Sequence, residues 1–289
     1  MATVQQWLAG ARPLTLPAAV APVLAGTGAA VSLGAAQPFR ALLALLVTLG
    51  LQIGVNYAND YSDGIRGTDD KRIGPFRLTG SKAAAPRAVL AAAIAAFAFA
   101  VVAGVWLIIL CELWWLFLIL LFSIPAAWFY TGGRRPYGYR GLGEVFVFVF
   151  FGLVAVLGTT YSQAGSVSPA AVCAAVGIGA LASAILVANN LRDIANDEAS
   201  GKLTLAVRLG DRNTRRLYLA LLLVSQLMLL AIAAGRPWTA LTFLLLPQHL
   251  RPVRTVAGGG TGADLLTVLR DTGRIELCYG LVLGATLML

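Results

Sequence analysis

This 289-residue chain is poor in charge. Only 12% of its residues are Asp, Glu, Lys or Arg, well below the ~25% of a soluble domain. Acids are scarcest, thirteen against twenty-two Lys and Arg, and histidine occurs once, as His249. Each scarcity excludes something. A single histidine excludes a multi-histidine metal centre, and a lone His at a helix end reads as structural. The three cysteines, Cys111, Cys173 and Cys278, lie in or beside apolar runs at no useful spacing. That excludes a disulfide framework and a thiolate metal site. No small-residue cleavage site leads from the first apolar run, which begins near Leu14, into a soluble domain, so no separable signal peptide is expected. The net charge of +9 would point to nucleic acid in a soluble protein. Here the placement of the basic residues explains it, and neither a nucleic-acid nor a protein partner is expected.

What the chain has in abundance is hydrocarbon: 58% of it is apolar and its mean hydropathy is +0.79. Apolar segments fall near 13–34, 41–60, 87–110, 113–130, 141–162, 168–191, 216–234, 238–256 and 275–289. A spanning helix needs ~20 residues, which most of these supply. The eighth is interrupted by Pro247, His249 and Pro252, and the ninth is short. The pattern predicts an all-α membrane protein of nine transmembrane helices, residues 1–289 forming one integral membrane domain. The N-terminal tail and the loops after segments two, four, six and eight hold twenty of the twenty-two basic residues; only Arg40 and Arg236 fall on the other side. By the positive-inside rule the N-terminus and those loops are cytoplasmic and the C-terminus is outside, in a cell membrane.

The few acids are not scattered. Seven of the thirteen lie in two windows, Asn56–Asp63 with Asp69 and Asp70, and Asn189–Glu198. Each window follows directly on a membrane-length apolar run, on the predicted cytoplasmic side. Solvated helix caps would explain one such cluster. Two, at the ends of segments two and six, point to a shared metal site, because acids at a membrane segment's end are costly. Residues four apart share a helix face, so Asn59 pairs with Asp63, Asn56 with Asp60 on a neighbouring face, and Asn189, Asp193 and Asp197 form one stripe. Hard oxygen ligands of this kind suit Mg²⁺ and a phosphate-bearing substrate. Arg72, Arg77, Lys82, Lys202 and Arg208 follow the windows; most serve as topology signals, but a diphosphate needs extra cations. Arg77 and Lys202 stand in glycine-marked turns. The glycine-rich loop Tyr130–Glu144 reads either as an interfacial aromatic belt or as a pocket wall with tyrosine faces against a cation or a ring.

The patterns Asn59-Asp60-x-x-Asp63 with a later Asp69, and Asp193-x-x-x-Asp197, resemble the two aspartate-rich motifs of the UbiA superfamily of intramembrane prenyltransferases. The wide spacing to Asp69, Tyr130-Thr131-Gly132-Gly133, Gly141-Leu142-Gly143-Glu144, Asn189-Asn190-x-Arg192-Asp193 and Gly201-Lys202-x-Thr204 resemble its menaquinone branch, the 1,4-dihydroxy-2-naphthoate polyprenyltransferases. The likeness runs from about residue 6 to 210. One departure is Arg134, where that branch usually has proline. The resemblance implies nine helices around a central cavity and Mg²⁺-dependent transfer of a prenyl chain from a polyprenyl diphosphate to an aromatic acid, with loss of CO₂. It implies that Asn59 and Asp63 hold one Mg²⁺ and Asp193 and Asp197 a second, the two ions bridging the diphosphate. Arg72, Arg77 and Lys202 would draw charge onto the leaving group; Tyr130, Arg134, Asn189 and Arg192 would contact substrate. The prenyl tail would lie between helices, open to the lipid bilayer.

Other readings remain open. A different aromatic acceptor, such as 4-hydroxybenzoate, would use the same metal motifs. A CDP-alcohol phosphotransferase wants Ala-Arg where Gly67-Thr68 stands. A cation transporter would place its acids at mid-membrane in broken helices, whereas these sit at helix ends beside basic loops.

Overall fold

The computed structural model describes residues 2–67 and 76–289, and within them the chain is helical with no strand. The short α1 (Val4–Gly10) starts on a capping box, with Thr3 and Gln6 each satisfying the other's backbone N–H. The remaining helices are α2 (Pro17–Val31), α3 (Pro38–Arg66), α4 (Pro86–Cys111), α5 (Leu116–Phe129), α6 (Gly143–Val147), α7 (Gly158–Ala164), α8 (Pro169–Ala199), α9 (Leu205–Gly235), α10 (Leu246–Ala257) and α11 (Ala263–Leu287). A π-helical run, Phe148–Leu157, joins α6 to α7, and a 3₁₀ run, Pro237–Leu245, leads into α10. Proline opens α2, α3, α4 and α8, where its missing N–H costs nothing.

All nine apolar segments are helical, but fewer than nine meet the length and apolarity that a bilayer crossing requires. Among the described residues five helical stretches do so: α3, α4, Gly143–Ala164, α8 and α9. A sixth forms if Val4–Thr15 and α2, bent by 52°, count as one span. The expected count of nine is therefore not reached on this criterion. The reasons are local: α5 has only 14 residues, the segment before Gly258 changes from 3₁₀ to α winding and contains Pro247 and Pro252, and α11 carries Asp264, Arg270, Asp271, Arg274 and Glu276.

Packing centres on α8. Of its most apolar window 72% is buried, against 28–39% for the other four long spans, so the others turn more of their surface to lipid. Half of its buried residues are alanine or glycine, which lets neighbouring backbones approach. At Gly152 and Gly179, on the π-helical run and α8, a Cβ on Gly152 would lie 2.6 Å from the Gly179 Cα. The α2–α11 contact is closer still: a Cβ on Gly28 would lie 2.1 Å from the Gly284 carbonyl oxygen.

The two basic residues missing from the charged side are fixed structurally. Arg40 donates to the Ser162 and Leu110 carbonyl oxygens at 3.0 and 2.8 Å. Arg236 donates to the Leu287 and Ser32 carbonyl oxygens at 3.5 and 3.4 Å. These carbonyls belong to the last turns of α7, α4 and α11 and to the C-cap of α2, where acceptors lack intrahelical partners and cations are favoured. Both arginines thus tie helix ends together at the end of the bundle opposite the acidic windows. Cys111, Cys173 and Cys278 are free.

Candidate active site

Glycines end the turns that carry both windows. Helix α3 stops at Gly67, whose φ of +71° reverses the chain directly after the first window, its N–H on the Asp63 carbonyl. Past α8, Gly201 takes φ +72°, and the chain folds back so that the Lys202 N–H donates to the Asp197 carbonyl oxygen at 2.8 Å. Side chains other than glycine rarely adopt this conformation. The turn places the Lys202 ammonium 3.8 Å from Asp197 Oδ1 and 3.8 Å from Asp63 Oδ2. One cation therefore touches both acidic windows, which lie more than a hundred residues apart in the chain.

Four carboxylates of the two windows, Asp60, Asp63, Asp193 and Asp197, differ in role. Asp60 is fully buried and accepts from the Leu78 and Thr79 backbone N–H groups at 2.6 and 2.8 Å. It anchors the segment after the first window and so presents Arg77, whose Nη2 lies 3.8 Å from Asp63 Oδ2. Asp63 takes Arg77 and Lys202 on one oxygen and accepts from the Tyr139 hydroxyl on the other at 2.6 Å. Asp193 is held by Arg192, which donates to both its oxygens at 2.8 and 2.7 Å and to Asn189 Oδ1 at 3.0 Å. A further nitrogen, Arg192 Nη1, is buried with no hydrogen-bond partner among the described residues. Asp197 faces Lys202. Asn59 Oδ1 accepts from the Thr131 hydroxyl at 2.6 Å. Asn56 turns to the N-terminal segment and donates to the Ala11 carbonyl oxygen and Thr15 Oγ1. Arg72, Asp69 and Asp70 lie outside the described residues.

Among the described residues no three His, Cys, Asp or Glu side chains gather into a ready metal cluster. Mg²⁺ does not require one, since it keeps waters and usually takes only one or two carboxylates plus substrate phosphate oxygens. The donor set fits that chemistry: hard oxygens of Asn59, Asp63, Asp193 and Asp197, with an ammonium already standing where Asp63 and Asp197 converge.

Beside this polar end opens a cavity of about 630 Å³. Arg12, Asn56, Asn59, Arg77 and Asn189 line it on one side, and its body is apolar, from Leu51 to Leu107, Leu120 and Val154. Tyr130 lines it, within a larger aromatic wall. Its ring meets Tyr137 edge-on at 5.6 Å, Tyr137 stacks on Phe146 at 3.9 Å, and Phe146 continues to Phe150 at 6.1 Å. Burial pushes the Tyr137 phenol well above its ordinary pKa; it stays protonated and donates to the Ala126 carbonyl oxygen at 2.7 Å. Such a wall offers π faces to a cation or an aromatic ring. Arg134 is exposed and is not among the residues lining the cavity. Sequence reasoning took the glycine-rich loop of Thr131, Tyr137 and Tyr139 as a whole, without assigning these three a role, and passed over Phe146 and the cavity-facing Arg12.

A family model described as the UbiA prenyltransferase family matches residues 19–252. A relative from Mycobacterium leprae (strain TN), named 1,4-dihydroxy-2-naphthoate octaprenyltransferase, is 53% identical over 100% of this chain and 98% of its own length. One of the same name from Escherichia coli (strain K12) is 42% identical over 87% of this chain and 85% of its own. Among solved structures, a UbiA homolog from Archaeoglobus fulgidus bound to GPP and Mg²⁺ superposes with a TM-score of 0.68 at 15% identity, covering 97% of this chain and 99% of that one. The apo UbiA homolog from Aeropyrum pernix K1 gives 0.66 at 17% identity, covering 93% and 96%.

Proposed function

This chain belongs to the UbiA prenyltransferase family, and from that premise we propose that it transfers a polyprenyl group from a polyprenyl diphosphate to 1,4-dihydroxy-2-naphthoate. The allylic C–O bond breaks and its electron pair leaves with diphosphate. A C–C bond forms to the electron-rich ring, and the carboxylate departs as CO₂, giving demethylmenaquinol for menaquinone synthesis. The observation that carries this reading is the convergence of both acidic windows on Lys202 at the polar end of an aromatic-walled, apolar cavity. The relatives' names support the acceptor.

The residues divide the work by position. Asn59 and Asp63, and separately Asp193 and Asp197, hold Mg²⁺, two ions in this proposal. Bound there, Mg²⁺ supplies charge neutralisation for the diphosphate. Lys202 and Arg77 add positive charge where the leaving group develops its own, and Arg72 is assigned with them. Arg192 fixes Asp193 and keeps Nη1 for a substrate oxygen. Asn189 meets substrate from the cavity side and Arg134 from the solvent side. Tyr130 and its aromatic neighbours stabilise positive charge on the allyl carbon, and the apolar cavity keeps water from it. Residues 1–289 act as one domain.

Chelation with EDTA should therefore stop the reaction and Mg²⁺ restore it, with labelled CO₂ and diphosphate released one for one from carboxyl-labelled acceptor. Diphosphate without CO₂ would mean hydrolysis or another acceptor.

The acidic end faces the cytoplasm of a cell membrane and the C-terminus faces out. In a variant with Cys111, Cys173 and Cys278 replaced by alanine, Ser200→Cys should react with an impermeant thiol reagent only when the cytoplasmic face is open. Labelling of intact cells would invert the topology.

A further inference from the structure

We propose that Tyr139 is the positioning residue that aims the Asp63 carboxylate at the cation position between the two acidic windows. The inference rests on the proposed metal-dependent reaction and adds a residue that neither motif contains. Tyr139 lies in the short 3₁₀ turn Tyr137–Arg140, on the loop between α5 and α6. Its hydroxyl donates to Asp63 Oδ1 at 2.6 Å. With that oxygen held, Oδ2 is the one 3.8 Å from both Arg77 Nη2 and Lys202 Nζ.

The same ring bears two cations. Lys202 Nζ lies 5.1 Å and the Arg66 guanidinium carbon 5.4 Å from its centroid, both within cation–π range. Arg66 in turn donates to the carbonyl oxygens of Thr131 and Gly133 on the same loop, and the Thr131 hydroxyl donates to Asn59 Oδ1. The loop is thus fastened to the last turns of α3 at three points. Among these, Tyr139 touches Asp63 from the first window and Lys202, which reaches Asp197 in the second. A phenol that holds one carboxylate oxygen stops rotation about the carboxyl bond and leaves the other oxygen to a cation. The ring meanwhile keeps Lys202 near both carboxylates, ready to move onto a diphosphate.

The test uses full-length protein in nanodiscs and two substitutions, Tyr139→Phe and Tyr139→Leu. Mn²⁺ binding is titrated by electron paramagnetic resonance with inorganic diphosphate present, and the melting temperature is measured without metal. Tyr139→Phe keeps the ring and should melt within about 2 °C of wild type. Its Mn²⁺ affinity should fall about 10–100-fold, as when an outer partner of a metal ligand is removed. In turnover it should require correspondingly more Mg²⁺ yet reach a near-normal kcat at saturation. Tyr139→Leu should lose kcat as well, because the ring under Lys202 is gone. Wild-type Mn²⁺ affinity in Tyr139→Phe would overturn the role while leaving the metal-dependent reaction standing. Failure of the wild-type protein itself to bind Mn²⁺ with diphosphate would remove the metal reading and this inference together.

Discussion

Asp63→Ala is expected to lower turnover by on the order of 10³-fold or more in protein that still folds and inserts. Asp63 is the carboxylate on which the site converges: Tyr139 holds one oxygen, and Arg77 and Lys202 approach the other. Removing it takes away a metal ligand of the proposed reaction and separates the two windows. Tyr139, Arg77 and Lys202 meet it through their side chains, and the fold should tolerate the change. The neighbouring Asp60 gives the contrast. Asp60→Ala would leave the Leu78 and Thr79 N–H groups buried and unsatisfied, each costing about 1–3 kcal/mol. Its expected result is loss of folded protein. Activity assays alongside detergent-solubilised yield and melting temperature separate the two. Near-wild-type rates in Asp63→Ala would remove Asp63 from the reaction.

Lys202→Met should cut kcat by about 10²–10³-fold. The side chain is 14% exposed and its ammonium bridges Asp63 and Asp197, so its charge sits where a diphosphate would gather negative charge as it leaves. Methionine keeps the length and apolar stem and removes the charge. Added Mg²⁺ should not rescue it, because the missing group acts on the leaving group and not as a ligand. Lys202→Arg should recover part of the rate. If Lys202→Met instead keeps full kcat and only loses stability, the ammonium is a structural bridge and nothing more.

The helix order, the two windows and the clustering of charge at one end were all legible in the sequence. Apolar run length marks helices, and a carboxylate at the end of such a run stands out against hydrocarbon. The i, i+4 spacing also placed Asn59 with Asp63 and Asn189 with Asp193 and Asp197. Which acid does what was harder to read. Asp60 and Asp63 lie three residues apart on one helix; one turns to backbone N–H groups and the other to the site. That choice depends on Leu78 and Thr79, whose approach no periodicity records. The contacts of Thr131 with Asn59 and of Tyr139 with Asp63 join positions 72 and 76 residues apart, so only the glycine-rich loop hinted at them. The aromatic wall was hidden for another reason: Phe146 and Phe150 lie in a run apolar on every face, where composition cannot tell a lipid-facing side from a cavity-facing one. The count of nine spans is left unconfirmed where winding changes or a helix is short, in the 3₁₀ run before α10 and the 14-residue α5.

The most direct test of the central claim is a reconstituted reaction with a polyprenyl diphosphate, Mg²⁺ and equal amounts of 1,4-dihydroxy-2-naphthoate and 4-hydroxybenzoate, its products weighed by mass spectrometry. The structure and its relatives predict a prenylated naphthoquinol lighter by CO₂, and little or no prenylated hydroxybenzoate. Prenylated hydroxybenzoate alone would contradict the acceptor and keep the chemistry; no prenylated product from folded, membrane-inserted protein would contradict the prenyl-transfer account itself.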